Sequence, residues 1–163
     1  MSINAEKIKV LENILSSLLG MVDQAKSAMA DAQEEANYHI GAMQSRYDTF
    51  KEEAQYLVAA QQIRLIELEN QISQCEMIKM KLSSEGYRFS RVEMGAFFSV
   101  VKSDESRRSY FIVPGGNGLM VAINNAKALC VSIEAPVIRS YIGLSEGDEP
   151  DTEMCDEFID EIV

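Results

Sequence analysis

The stretch Ser45–Tyr56, SRYDTFKEEAQY, decides the fold because it lies between two long segments of helical pattern. Before it, apolar residues recur at alternating intervals of three and four residues from Ile8 to Met43. After it, the same spacing runs from Ala54 to Cys75. Such spacing is typical of the seam of a coiled coil. Two seams joined by a few residues predict an antiparallel helical hairpin with Ser45–Tyr56 as its acidic tip.

The outgoing helix is predicted from about Ala5 to about Arg46, with Asn4 as its N-cap and Lys7 where a capping box has glutamate. His39 is the polar residue of its seam, and we interpret it as a hydrogen-bonded seam residue, with a ligand or switch role as the alternative. About 40 residues per helix give an arm of about 60 Å, longer than a compact core requires. The arm therefore favours a role in reaching a partner. The seam residues are Ile8, Leu11, Leu15, Leu18, Val22, Ala25, Met29, Ala32, Ala36, His39 and Met43, then Ala54, Val58, Gln61, Leu65, Leu68, Ile72 and Cys75.

Composition limits the classes of function. The chain has 163 residues, 47% of them apolar, and a net charge of -11, which argues against a general affinity for phosphate backbones. Cys75, Cys130 and Cys155 are too few and too scattered for a disulfide framework or a zinc site, and they suit a reducing compartment. The first apolar run is too short and too amphipathic for a membrane span. We expect a cytoplasmic monomer without membrane association.

The acidic residues of the tip have two interpretations. In the first, Asp48 is the N-cap of the returning helix, Glu52 and Glu53 lie near the positive end of that helix, and the turn is simply solvated. In the second, these carboxylates complete a metal site that another protein supplies. They cannot hold Mg²⁺ tightly by themselves, because Mg²⁺ keeps several waters and takes only one or two carboxylates from a protein.

The second half of the chain changes character at Tyr87, where aromatic and β-branched residues replace the seam pattern. Because Pro114–Asn117 lacks the spacing of a nucleotide-binding loop, we interpret it as a hairpin turn. Pro136–Ile142 is a candidate short helix closed by Gly143. The predicted strands are Arg91–Val92, Ala96–Val101, Ser109–Val113, Gly118–Ile123 and Leu129–Ile133.

The acidic tail, Glu146–Glu161, contains nine acidic residues and no basic one. Most such runs are solvated, but Phe158, Ile159, Ile162 and Val163 allow a last strand, so we expect a partly ordered end. The predicted fold class is therefore α+β. Residues 1–84 form the coiled-coil hairpin, with its tip at about 45–56, and residues 87–163 form a small, mainly antiparallel sheet domain with a short helix.

This organisation resembles that of the Gre transcript cleavage factors of bacteria, over nearly the whole chain. At the tip, Lys51–Tyr56, KEEAQY, is similar to the KENAEY portion of the acidic segment of that family. Near the carboxyl end, Val131–Asp148 is similar to the strand, Ser-Pro turn and Gly-Asp run of the family. The order of the two motifs, with the second following a long hairpin, strengthens the resemblance.

The resemblance implies a fold and a partner. The sheet domain would have an FKBP-like fold and dock on the rim of the secondary channel of bacterial RNA polymerase, while the coiled coil enters the channel. The segment that corresponds to the docking turn comprises Ala135, Pro136, Val137 and Ile138.

The resemblance also implies a chemistry in which the polymerase remains the enzyme. The tip carboxylates of Asp48 and Glu52, with Glu53 beside them, would help to hold a second Mg²⁺ and a water at the polymerase active site. The Mg²⁺ is shared with the polymerase and is not stably bound by the factor alone. Backtracked RNA is then cleaved near its 3′ end, and Arg46 and Arg64 are candidate RNA contacts.

Two departures from the family pattern leave other functions open. Thr49 stands where the family has its tip aspartate, Asp48 comes one residue early, and Ala135 replaces the serine of the Ser-Pro turn. One alternative is a channel regulator that does not promote cleavage. Another is a coiled-coil adaptor whose sheet domain binds a different protein.

Overall fold

The computed structural model describes residues 2–38, 44–151 and 156–163. Two long helices precede a five-stranded mixed sheet, which confirms the predicted α+β class. By compactness the chain divides into one unit of Met1–Leu15 with Gln74–Val163 and a second unit of Ser16–Ser73. The elements are α1 Ile3–Tyr38, α2 Gln44–Leu82, β1 Phe97–Lys102, β2 Arg107–Ile112, β3 Met120–Ile123, β4 Ala126–Val131, a 3₁₀ helix Arg139–Tyr141 and β5 Glu157–Ile162.

The bounds of the helices correct the predicted tip. Helix α2 begins at Gln44, so Ser45–Tyr56 is helical and is not a turn. Its run of Lys, Glu, Ala and Gln consists of strong helix formers, and no glycine or proline interrupts it. Helix α1 is described as far as Tyr38, and Arg46, where it was predicted to end, belongs to α2. The seam positions His39 and Met43 lie outside the described residues.

The start of α1 also differs from the prediction. The helix begins at Ile3, and the amide of Ala5 donates a hydrogen bond of 3.2 Å to Ser2 Oγ. Ser2 is therefore the N-cap in place of Asn4. The side chain of Asn4 instead donates to the carbonyl oxygen of Tyr87 at 2.9 Å.

Burial confirms the two predicted seams. Every seam residue whose side chain the structure describes is buried or half-buried. In the unit of Ser16–Ser73, the guanidinium of Arg64 on α2 lies 4.0 Å from Met21 Sδ on α1. In the other unit, Lys79 of α2 pairs with Glu12 of α1 at 3.1 Å. In each unit, therefore, α1 and α2 are in contact with each other. The fully buried seam residues include Leu11 and Cys75.

The sheet has the strand order β3-β4-β2-β1-β5. It is mainly antiparallel, as predicted, and the β2–β4 pair is parallel. The predicted strand Arg91–Val92 is wrong, because these residues lie in bends. The predicted last strand is confirmed as β5, which extends the sheet beside β1 and buries Ile159 and Ile162.

The hairpin predicted at Pro114–Asn117 is also wrong, since this segment links β2 to β3, which are not neighbours in the sheet. The β3–β4 hairpin turns instead through Asn124 and Asn125, whose φ angles are 54° and 60°. Two consecutive positive φ angles favour a type I′ turn, and asparagine tolerates this conformation well. In the sequence, this hairpin turn is indicated by the Asn-Asn pair between two short apolar runs.

Gly95 fixes how the loop before β1 packs on α2. Its φ is 92°, and a Cβ at this position would lie 2.9 Å from Ile78 Cγ2. We expect Gly95→Ala to lower the free energy of unfolding by about 2 to 4 kcal/mol, because backbone strain and overpacking add. Urea denaturation measures the change. Gly118→Ala is the matched control, since it has a similar φ of 85° and open space around the new Cβ; equal losses in both variants would contradict the packing argument.

Candidate functional site

The candidate tip site lies in the first turns of α2. On a helix, residues four apart lie on one face with their Cβ atoms about 6 Å apart, so the helical register brings Asp48 and Glu52 together. Glu53 follows on the adjacent side. All three side chains are exposed. The carboxylates of Asp48 and Glu52 therefore form a pair on one exposed face.

This pair fits Mg²⁺ only as part of a larger site. Carboxylate oxygens are suitable donors for this hard cation, but Mg²⁺ requires six ligands in near-octahedral geometry. Among the residues that the structure describes, no group of three or more His, Cys, Asp or Glu side chains is placed to hold a metal ion. The remaining ligands would have to come from water and from another macromolecule.

The helix also determines where Thr49 and the two candidate arginines lie relative to Asp48 and Glu52. Thr49 is exposed and lies one turn before Glu53, so Asp48 and Thr49 occupy different positions around the helix. Arg46 and Arg64 are both exposed and lie on α2. They are 18 residues apart on the helix, about 27 Å along its axis. At about 100° per residue, the helical register places neither arginine on the face that Asp48 and Glu52 share.

The predicted docking segment is a tight turn before the 3₁₀ helix. Pro136 and Val137 are exposed, Val137 by 46%, whereas Ala135 is half-buried and Ile138 is fully buried. The amide of Ile138 donates to the carbonyl oxygen of Ala135 at 3.2 Å. Ile138 thus anchors the segment from inside. The surface available to a partner is provided by Pro136 and Val137.

Side-chain contacts hold the end of this segment to the sheet. The hydroxyl of Tyr141 donates a hydrogen bond to the Glu157 carboxylate, which also pairs with Lys102 at 3.1 Å. The hydrogen bond from Tyr141 and the charge of Lys102 hold the pKa of Glu157 below its usual range. The short helix predicted at Pro136–Ile142 is reduced to the 3₁₀ helix Arg139–Tyr141. Gly143, with a φ of 83°, lies in the turn that follows it, where the amide of Leu144 donates to the carbonyl oxygen of Tyr141 at 3.1 Å. These contacts therefore hold the segment that follows Pro136 and Val137 against the sheet.

A buried lysine was not identified from the sequence. Lys7 is fully buried, and its Nζ donates a hydrogen bond of 2.6 Å to the carbonyl oxygen of Val163. The same nitrogen lies 4.5 Å from the ring centroid of Phe89 and 5.7 Å from that of Phe111. Burial lowers the pKa of Lys7 to about 7. The sequence did contain an indication of this burial, because Lys7 precedes Leu11 by four residues and so lies on the buried face of α1.

The cysteines that the structure describes have no reactive environment. Cys75 and Cys130 are buried free thiols. Burial, with Glu76 adding to it at Cys75, raises the pKa of both thiols to about 11. Both are therefore protonated near neutral pH and act as small apolar core residues. Cys155 lies outside the described residues.

Comparisons with known proteins give structural neighbours only. No family model matches the chain, and no curated protein matches it. The crystal structure of GreA factor homolog 1 (Gfh1) of Thermus thermophilus is similar over 91% of this chain and 94% of its own, at 16% identity and a TM-score of 0.35. Gfh1 of Thermus aquaticus is similar over 90% and 92%, at 16% identity and a TM-score of 0.33. Within the described residues, no helix is long and apolar enough to cross a membrane.

Proposed function

We propose that this protein is a Gre-like transcription factor that binds bacterial RNA polymerase through its secondary channel and stimulates the polymerase's own cleavage of backtracked RNA. The observation that carries the proposal is the pairing of Asp48 and Glu52 on one exposed face of α2. Together with the KEEAQY motif, it supports a role for these residues at the polymerase active site. The protein itself would not be an enzyme.

The helical register bears directly on the departure at Thr49. Because Asp48 lies four residues before Glu52, the two carboxylates share a face although Asp48 comes one residue early in the motif. Thr49 points about 100° away from Asp48 around the helix axis. Asp48 is thus the residue we assign as the partner of Glu52.

The chemistry would be a donation of ligands. When bound beside the metal of the polymerase, a second Mg²⁺ would stabilise the charge that develops on the attacking and leaving oxygens. Asp48 and Glu52 would accept hydrogen bonds from the attacking water or supply oxygen ligands. Glu53 would add negative charge beside them. All three side chains are exposed, so they lie on the surface of α2 where a partner can approach them.

The direct test uses a stalled, backtracked elongation complex of bacterial RNA polymerase, with and without this protein. Rapid shortening of the RNA from its 3′ end is the expected result. Binding without shortening would contradict the cleavage function and support the second candidate, a channel regulator that does not promote cleavage. That candidate is motivated by Thr49 at the position of the family's aspartate. Absence of binding would favour the adaptor alternative.

The docking segment supplies a separate prediction. Val137→Asp is expected to weaken polymerase binding by about tenfold, because it places a charge on the exposed side of the turn that Ile138 anchors. Binding is measured by fluorescence anisotropy with labelled protein. Leu119→Asp is the matched control, since Leu119 is 51% exposed and lies just before β3. Equal weakening by both variants would contradict docking through this turn.

A further inference from the structure

The two edges of the sheet differ in how their backbone groups are satisfied. At the β5 edge, the amide of Gly147 donates a hydrogen bond of 2.7 Å to the carbonyl oxygen of Ile159, and the amide of Ile159 donates to the carbonyl oxygen of Asp148 at 3.0 Å. The amide of Ile162 donates to the Glu146 carboxylate at 2.9 Å. Because these contacts occupy the outer side of β5, this edge is closed to another strand.

Strand β3, at the other end of the sheet, has backbone groups that point away from its neighbour β4. The amide of Cys130 donates to the carbonyl oxygen of Leu119 at 2.8 Å, so these two residues form a hydrogen-bonded pair. Bonded and non-bonded pairs alternate along an antiparallel ladder, which makes Met120 and Ala122 members of non-bonded pairs. Their N–H and C=O groups therefore point outward. Within the described residues, none of the hydrogen bonds made outside the strand ladders involves these four groups.

The side chains along this edge are apolar and exposed. Met120 is 61% exposed and Leu119 is 51% exposed. Natural edge strands are commonly protected by proline or lysine, but the segment Leu119–Ile123, LMVAI, contains neither and carries no charge. We call the outward side of β3, Met120–Ile123, the free edge. An apolar strand with outward N–H and C=O groups can accept an extended peptide as a further strand of its sheet.

Two positive side chains lie beside the free edge, on the face of the sheet that carries Met120 and Ala122. Lys127 of β4 lies directly opposite Ala122, and the parallel register of β2 and β4 puts Arg108 beside Lys127. Both are exposed, and neither forms an ion pair among the residues that the structure describes, although Arg108 acts on the Glu157 carboxylate at longer range. A strand added at the free edge would lie two strand spacings from β4, about 10 Å away. Because Ala122 is small, the Lys127 side chain can extend across it towards that strand.

We propose that the free edge binds an extended peptide segment of a partner protein, with an acidic residue opposite Ala122 and an apolar residue opposite Met120. The outward groups of Met120 and Ala122 would form up to four hydrogen bonds with the peptide backbone. Lys127 would pair with the acidic side chain, and Met120 would cover the apolar one. An acidic residue opposite Ala122 meets Lys127 whichever way the peptide runs, so the charges select the composition of the peptide and not its direction.

Charge also distinguishes such a peptide from a second copy of this chain. The segment 119–125, LMVAINN, contains no acidic residue. If the β3 strands of two copies paired, Lys127 of each copy would extend over an uncharged strand and find no carboxylate there. An acidic peptide supplies the partner that a second β3 lacks. The proposal concerns the sheet domain alone and does not rest on binding to polymerase.

Fluorescence anisotropy with the whole protein tests the inference. The probe is a labelled peptide with capped ends, Thr-Val-Thr-Glu-Thr-Val-Thr, whose sequence is the same in both directions. Saturable binding is expected, and Lys127→Glu should weaken it by at least about tenfold, because attraction becomes repulsion. A second peptide, with lysine in place of glutamate, should bind this variant better than it binds the parent protein. Lys81→Glu is the matched control, since it makes the same change of charge at an exposed position of α2.

A backbone variant tests the strand pairing. Ala122→Pro removes an N–H that points outward, so the β3–β4 ladder keeps its hydrogen bonds, and binding is expected to fall by at least about tenfold. Ala122→Ser keeps the N–H and should bind like the parent protein. Circular dichroism checks the fold, and if Ala122→Pro does not fold, the exchange of charge at Lys127 still decides.

Three results would overturn the proposal. The first is no saturable binding of the glutamate peptide. The second is equal binding of the glutamate and lysine peptides to the parent protein, or unchanged binding in Lys127→Glu. The third is self-association of the parent protein that Ala122→Pro abolishes, because a second copy would then occupy the free edge.

Discussion

Replacing Asp48 and Glu52 together with alanine is expected to reduce stimulated RNA cleavage by at least about a hundredfold, while polymerase binding stays the same. In the proposed function the two carboxylates on one face of α2 would act as one unit, and an incomplete ligand set does not retain a weakly held Mg²⁺, so the expected loss is large. Binding is preserved because both side chains are exposed and alanine is a better helix former. Single-turnover cleavage and a binding assay measure the two effects.

Two further variants separate a specific site from a general effect of negative charge. Glu69→Ala removes an exposed acid from the same helix, more than a dozen residues away from Glu52, and is expected to cleave like the parent protein. Thr49→Ala is also expected to cleave normally if Asp48 is the partner of Glu52. Normal cleavage by the Asp48→Ala, Glu52→Ala double variant would refute the assignment. A loss of cleavage in Thr49→Ala alone would transfer the role from Asp48 to Thr49.

The second large effect concerns Lys7. Replacing Lys7 with methionine is expected to raise the free energy of unfolding by about 2 to 4 kcal/mol at pH 6 to 7, because a buried ammonium carries a desolvation cost. Methionine has a similar length and fills the same space. The carbonyl oxygen of Val163 keeps the hydrogen bond from the amide of Phe97, at 2.9 Å, so no acceptor is orphaned.

The pH dependence of this gain follows from linkage. Burial lowers the pKa of Lys7 from 10.5 in the unfolded chain to about 7 in the folded one. Below pH 7 both states carry the proton, and the cost is fully present. Between pH 7 and pH 10.5 the unfolded chain binds more protons, so the stability of the parent protein rises with pH relative to that of Lys7→Met. The gain should therefore shrink across this window and nearly vanish above pH 10.5.

Urea denaturation of both proteins from pH 6 to pH 10 measures this difference, in which the titrations of all other groups cancel. Lys9→Met is the matched control, because Lys9 is exposed on the same helix. It should change stability little at any pH. A lower stability of Lys7→Met at pH 6 would show that the contacts of Nζ with Val163 and the two rings outweigh the cost of burial.

Much of the fold follows from local pattern. The seams from Ile8 and Ala54 determine two long helices, because a 3-4 spacing of apolar residues can be buried only on a helical face. The strand around Phe97 and the last strand at Glu157–Ile162 follow from β-branched and aromatic runs in the same way. At the candidate site, the sequence identified the acidic residues and the turn at Pro136 as the features of interest.

Tertiary structure decided the rest. Arg91–Val92 reads as a strand, but Val92 exchanges backbone hydrogen bonds with Gly143 and Leu144, which lie outside the sheet. The Gly-rich segment after Pro114 connects strands that are not neighbours. Pairing between distant strands is set by the packing of the whole domain, which no local window contains. The turn predicted at Ser45–Tyr56 failed for a different reason: acidic residues were interpreted as loop, although their helix propensity is high.

The sequence by itself identified the acidic residues to which we assign the proposed chemistry, namely Asp48, Glu52 and Glu53. The structure decided how they are arranged, because only a helix from Gln44 onward places Asp48 one turn from Glu52. Lys7 shows the same division. The sequence spacing indicates that Lys7 lies on the buried face of α1. Its burial, however, depends on packing against the rings of Phe89 and Phe111, which come from a distant part of the chain.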